Sequence, residues 1–440
     1  MKDLNHLIKF GAGSFLLALL VVLSFQNCNR KVQSHFVLKE EVIYQEPEKP
    51  TEHNCADREN HAPDASNAAH TPIRWVRVNF HFVSDESDTN NFTGEAGKQY
   101  TKEILYEANL KLSNNCQMKL PPENNTDVLP LRWQYVLAGD ASIPGDDGIY
   151  FHSEASDLAY HIKKGAKENR YSSGLFNKYK VRPGEVLNIF MIEHPPDSIE
   201  SPTYKASADG LGFPRWVKVA GSFDKYHRIH YLNNGKEFRK GPKYMANLLN
   251  HEIGHSLGLA HTWNQNDGCD DTPKNPGCWG WTGKPPCDKK VSNNLMDYNG
   301  SRCAISPCQI WRVQSNFARD NSSQRKLLMP SWCDYKPEDK IVIGPFQNIV
   351  WKGSKDLESD IEVRGTLTLK CRVALPKDAR IIIAPKGKLV LDGCTITNLC
   401  GEKWRGIEIQ EGEQSKAQVI WMNNPKLENM SESFEIPEAN

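Results

Sequence analysis

The 440-residue sequence predicts two unlike parts: an α/β (or α+β) domain and, after it, an all-β domain. Three observations predict them. From Arg74 to Gly258, segments of strand-like alternation take turns with segments of helical periodicity. From His261 to Cys333 the chain is rich in Cys, Gly, Asn and Pro, with one helical candidate. Beyond Tyr335, short alternating segments recur about every 20 residues.

The elements follow in order. Lys2 and Lys9 precede GAGSFLLALLVVLSF, an apolar run suited to a signal-peptide core and short for a membrane span. Cys28 follows in LSFQNC, which resembles a bacterial lipoprotein signal whose cysteine is lipidated. Phe25 and Asn27 depart from that pattern. Lipidation at Cys28, a cleaved signal peptide and an uncleaved anchor all stay open. Each places the body outside the cytoplasm, secreted or at the cell surface. Residues 1–27 are thus read as the signal. Residues 28–71, polar and without periodicity, are read as a linker or pro-segment.

RWVRVNFHFV, from Arg74, alternates like a half-buried strand. TKEILYEANLKLSNN, with Thr101 as its cap, carries Ile104, Leu105, Ala108 and Leu112 on one helical stripe. PLRWQYVL and EVLNIFMIE are further strands. GPKYMANLLNHEIGHSLG reads as a helix with proline near its start and glycine at its end. SPCQIWRVQSNFARD is the helical candidate of the irregular lobe.

RGTLTLKC and KGKLVLDGC align at a spacing of 22, pairing Gly365 with Gly387, Leu367 with Leu389 and Leu369 with Leu391. This suggests a parallel β-helix-like domain over 335–425, similar to modules attached to bacterial surface proteins, with a polar tail at 426–440. A small β-sandwich is the other reading.

Lys plus Arg equal Asp plus Glu, 54 each, which gives no argument for nucleic acid or for electrostatic membrane binding. Membrane contact would come only through an N-terminal lipid or anchor. Twelve cysteines, six of them between Cys269 and Cys333, point to disulfides and an oxidising compartment.

HEIGHSLGLAH holds the chemistry. His251 and His255 are four apart, so both imidazoles lie on one helical face and can share a metal. On a continued helix His261 would lie about 9 Å further along the axis. It can join them only if the chain turns back, and Gly258 is the residue for that turn. Three imidazoles and an open position suit a catalytic Zn2+. Glu252 is placed to take a proton from the attacking water and pass it to the leaving amine. A buried helix whose histidines merely satisfy hydrogen bonds is the competing reading, and it fits a lone histidine better than this set.

HEIGHSLGLAH resembles the HExxHxxGxxH signature of metzincin zinc metallopeptidases. NNLMDYNG resembles their methionine turn. With DGCDDTP and SPCQIWR, the stretch from 72 to 334 resembles the pappalysin family. The resemblance implies a twisted mixed sheet in an upper lobe, 72–261, and an irregular disulfide-tied lower lobe, 262–334. It implies His251, His255 and His261 as zinc ligands, Glu252 as general base, Met296 beneath the metal and Tyr298 as a phenol for the oxyanion. It also implies crossed bridges Cys269–Cys287 and Cys278–Cys303, other pairings staying open, with Cys308–Cys333 as an extra candidate. Cys116, Cys371, Cys394 and Cys400 stay unassigned. Asp270, Asp271 and Thr272 offer oxygens to Ca2+, or form a solvated acidic turn.

Two departures bear on function. Arg302 stands where relatives that cut before basic residues carry an acid. If it points into the pocket, acidic or neutral residues are favoured; otherwise it faces solvent. Cys55, in EHNCADREN, is the one candidate for a latency thiolate on zinc, against a disulfide or an idle thiol.

The expected function is an extracytoplasmic zinc endopeptidase acting on proteins or peptides. The rival is a surface binding protein with a peptidase-like scaffold and a β-module for a glycan or surface partner. A zinc hydrolase of non-peptide amides is a third reading, and no small-molecule pocket is evident for it.

Overall fold

The computed structural model describes residues 32–46, 53–201, 209–228, 230–231, 237–238, 240–263, 267–280, 284, 287, 290–299, 301–412 and 415–432. The signal, anchor and Cys28 expectations lie outside them.

The chain opens with β1 (Gln33–Phe36) and β2 (Val42–Tyr44). The strands β3 (Arg74–Ser84), β4 (Trp133–Leu137), β5 (Ile149–Ser153), β6 (Leu187–Ile192), β7 (Asp209–Phe213) and β8 (Trp216–Ala220) then build a mixed sheet. Its order is β4-β3-β6-β8-β7, with β5 paired to the second half of β3. All pairs are parallel except β7 with β8, so an antiparallel strand forms one edge. Strand β6, LNIFMI, is buried at every position, as expected of a central strand covered on both faces.

The helices are α1 (Gly94–Ser113), α2 (Gly174–Tyr179), α3 (Pro196–Glu200), α4 (Ser222–His227) and α5 (Pro242–Ser256). A short ribbon, β9 (His230–Tyr231) with β10 (Glu237–Phe238), precedes α5. Helix α1 buries Ile104, Ala108 and Leu112 as the stripe required. It starts at Gly94, however, a full two turns before Thr101. Thr101 is therefore no cap; its hydroxyl is buried and donates back to the Gly97 carbonyl. Helix α5 packs against α1, with Asn250 Nδ2 donating to the Ala108 carbonyl.

In the irregular lobe, α6 (Pro307–Ala318) has Ser306 and Gln309 as a capping box, followed by α7 (Ser323–Lys326). The crossed disulfides are corrected. Cys269 bonds Cys308, Cys278 bonds Cys287 and Cys116 bonds Cys303, with Cα–Cα distances of 5.6, 5.3 and 5.6 Å. Cys303 runs beside Cys116, whose amide donates to the Cys303 carbonyl, and this pairing takes Cys303 from Cys278. Cys333 bonds Cys400 rather than Cys308. Cys55 bonds Cys371, which removes it as a latency thiolate. Cys394 is buried and free.

The last part contains β11 (Ile341–Ile343), β12 (Asn348–Trp351), β13 (Lys355–Asp356), β14 (Ile361–Val363), β15 (Thr366–Leu369) and β16 (Val373–Ala374). It continues with β17 (Arg380–Ile383), β18 (Lys388–Asp392), β19 (Thr395–Thr397), β20 (Gly406–Glu411), β21 (Gln418–Met422) and β22 (Lys426–Leu427). Every third strand pairs in parallel, giving three sheets. The 22-residue spacing is the ladder register itself: Leu367 faces Leu389 and Leu369 faces Leu391. Columns of aliphatic side chains, such as Ile341, Ile361, Ile381 and Ile407, fill the space between the sheets.

Two boundaries shift. Residues 33–44 are not a free linker. Strand β1 pairs antiparallel with β20, and β2 pairs parallel with β21, so both cover the last strands of their sheets. The ladder also continues past 426, because β22 pairs with β19 and Met430 is buried. The two parts meet at Asp356, a fully buried carboxylate. Arg325 and Arg372 pair with it at 2.6 and 2.8 Å, and Arg74 stands 4.0 Å away. The Cys55–Cys371 and Cys333–Cys400 bridges also join the parts.

Candidate metal centre

Helix α5 carries His251 and His255 on one face, toward the irregular lobe. Gly258 ends the helix at φ +98°. Its amide donates to the His255 carbonyl and the Leu259 amide to the Gly254 carbonyl, which reverses the chain. A Cβ at 258 would meet Asn316 Nδ2 at 2.7 Å, the group that donates to the Leu257 carbonyl. The turn delivers His261. The three Nε2 atoms stand 3.0, 3.1 and 3.2 Å apart.

That spacing fits a metal. Bonds of about 2.0–2.1 Å at tetrahedral angles put ligand nitrogens about 3.3 Å apart. His251 Nδ1 donates to the Leu295 carbonyl at 2.7 Å and His255 Nδ1 to the Leu259 carbonyl at 2.8 Å. Those bonds fix the tautomer and leave the Nε2 lone pairs facing one point, where a cation relieves their repulsion. Burial holds all three imidazoles below their usual pKa, His261 at about 4, which favours the neutral form that binds a metal.

Glu252 is buried beside them. Burial pushes its carboxyl up to about 8, against the pull of Arg302. The edge strand β7 passes directly over it, and two glycines in DGLGF allow the approach. A Cβ on Gly210 would stand 2.4 Å from the Glu252 side chain, and one on Gly212 would stand 2.1 Å from the Glu252 carbonyl. Asp209, at the start of β7, pairs with Lys163 at 2.7 Å and His161 at 3.4 Å. Burial would raise its pKa, but these two partners hold it well below the carboxylate range.

Met296 is fully buried under the trio, its sulfur against Gly254. Asp297 ties this turn to the residue after His261 by accepting from the Thr262 hydroxyl at 2.6 Å. Tyr298 is half exposed, its ring 4.9 Å from that of His261 and 5.7 Å from that of His251. Trp263 and Trp279 pack against it at 5.4 and 5.2 Å. Arg302 faces inward: its Nη1 donates to the Asn247 carbonyl at 3.2 Å, and it lines the same cleft. The cleft holds about 670 Å³ between β7, α5, Arg170, Tyr171, Tyr298 and Arg302.

The expected calcium oxygens have other duties. The Asp271 carboxylate accepts from the Ser306 hydroxyl and the Cys308 amide, at the start of α6. The Thr272 hydroxyl donates to Asp267, and Asp270 is exposed on the turn.

Sequence reasoning missed Asp209, Gly210, Gly212, Asp297 and Arg170. Paired glycines inside a short strand were the available signal, since they mark close backbone approach. Among the described residues, no helix is long and apolar enough to cross a membrane. Five disulfides fit an oxidising compartment.

No family model matches the chain, and no curated protein does. Among solved structures, Tannerella forsythia mature mirolysin in complex with a cleaved peptide is 18% identical, over 59% of this chain and 96% of that one, at a TM-score of 0.39. Mirolysin in complex with compound 9 is 17% identical, over 59% and 97%, at the same TM-score.

Proposed function

We propose that the chain is an extracytoplasmic zinc-dependent endopeptidase of the metzincin type, similar to the pappalysins. The observation that carries this is the convergence of three Nε2 atoms within 3.2 Å, beside the buried side chain of Glu252. His251, His255 and His261 would hold the ion. Zinc, when bound, supplies a Lewis acid that polarises the scissile carbonyl and makes water easier to deprotonate.

The substrate lies extended along β7, the outermost strand of the sheet among the described residues, and pairs with it as an added strand. Glu252 Oε takes the proton of the attacking water and gives it to the leaving nitrogen. As a base Glu252 must be ionised; burial opposes that, the charge of Arg302 favours it, and a bound cation would favour it too. The Tyr298 hydroxyl donates to the carbonyl oxygen as it gains charge. Met296 supports the ligands from below, and Arg302 contributes to side-chain selection. The three parallel ladders are read as coils of a short β-helix, capped by residues 33–44, and the peptidase domain as about 72–334.

The test uses zinc-loaded protein on casein, with metal content measured in parallel. Glu252→Ala is expected to keep stoichiometric zinc and to lose at least about a hundredfold in kcat/KM, the range for a removed general base. Cleavage by that variant at the parent rate overturns the mechanism.

A further inference from the structure

Two guanidinium groups face the cleft without a carboxylate within ion-pair distance among the described residues, although Arg302 feels the more distant Glu252. Arg170 and Arg302 both line it. The Nε of each is buried and has no hydrogen-bond partner among the described residues. Neither forms an ion pair there, although acids elsewhere in the protein pair readily with arginine, as Asp356 does. The carboxylates near the cleft are otherwise engaged. Asp209 is held by Lys163 and His161, and Glu252 is assigned to proton transfer.

Both arginines are held in place. The Arg170 guanidinium lies 4.5 Å from the ring centre of Tyr171, and its carbonyl accepts from Lys218 Nζ at 3.3 Å. Arg302 is anchored by its bond to the Asn247 carbonyl. Both side chains are half-buried; a buried Nε–H without a partner costs free energy until one arrives, and a planar fork matches a carboxylate best.

We propose that the cleft selects acidic peptides, with Arg170 and Arg302 each receiving an Asp or Glu side chain of the substrate. The inference rests on the peptidase reading for the nature of the ligand, and it adds Arg170 as a specificity-determining residue.

Binding tests it apart from catalysis. Zinc-loaded Glu252→Gln is titrated, by fluorescence polarisation, with three peptides of one length and blocked termini, carrying Glu, Gln or Lys in the central positions. The Glu peptide is expected to bind at least about tenfold more tightly than the Lys peptide. Arg170→Glu and Arg302→Glu, placed in the same background, are expected to shrink that ratio. The double variant is expected to prefer the Lys peptide, a gain that misfolding cannot produce. Equal binding of the Glu and Lys peptides overturns the proposal, as does a ratio unchanged in both variants. Chelator-sensitive cleavage by the unsubstituted protein with no acidic bias overturns this inference and leaves the peptidase reading standing. Acidic selectivity in binding without any cleavage does the reverse.

Discussion

The Nδ1 of His251 lies 2.7 Å from the carbonyl oxygen of Leu295, the residue before Met296. One hydrogen bond thus joins the metal-facing helix to the methionine turn. It fixes the imidazole tautomer and makes the turn part of the site. The geometry is preformed, and its strain is electrostatic: three lone pairs aimed at one point.

Zinc should therefore stabilise the fold. Zinc added to chelator-treated protein is expected to raise Tm, by the equivalent of about 4 kcal/mol at a thousandfold excess over Kd. His255→Ala is expected to abolish the response. Calorimetry of both proteins, with and without zinc, checks this.

Gly212 should tolerate no side chain. A Cβ there would stand 2.1 Å from the Glu252 carbonyl and 2.8 Å from His255 Cβ. Gly212→Ala is expected to cost about 1–3 kcal/mol and to reduce cleavage by pushing β7 off α5. Gly280, with open space around it, is the control position. Denaturant unfolding with a casein assay separates the two effects.

Asp356 should be a keystone between the two parts. Removing it strands three buried or half-buried guanidinium groups, so Asp356→Ala is expected to cost about 3–5 kcal/mol. The exposed Asp320 also touches Arg325 and Arg372, yet Asp320→Ala is expected to cost less than about 1 kcal/mol. Urea titrations of the two variants give the comparison.

Acid should weaken the fold through a stacked histidine pair. His81 is fully buried between Phe190 and Tyr150, with Nδ1 3.0 Å from His152 Nε2. Burial first, then neighbouring positive charge, depresses His81 to about 3 and His152 to about 4. Folded pKa values below the unfolded 6.5 mean that the unfolded chain binds protons first. The stability contribution is present above about pH 6.5 and is lost as pH falls toward 3–4. Tm is expected to drop steadily from pH 7 to pH 4, with a shallower slope in His81→Asn.

What the sequence disclosed was local. His251, His255, Gly258 and His261 lie within eleven positions, so helical geometry sets the first two side by side and the glycine marks the turn that the third requires. Leu367 and Leu389 show their pairing through a fixed repeat. The disulfides depend on distant partners: Cys303 meets Cys116 across 187 positions, and no spacing rule reports that. Thr101 looked like a cap because the helix before it, GEAGKQY, has little apolar periodicity; burial of Gly97 and Tyr100 extends it. Arg170 carries no local mark, since only the fold brings it to the cleft.

Strands β1 and β2 find their partners in β20 and β21, near the other end of the chain. In a chain made from its N-terminus, these first strands stay without neighbours until nearly the whole polypeptide has emerged. Cys55 waits in the same way for Cys371. Early oxidation with a nearer thiol, such as Cys116, would trap a wrong topology. Productive maturation thus favours a compartment that can reshuffle sulfur bonds after synthesis is complete.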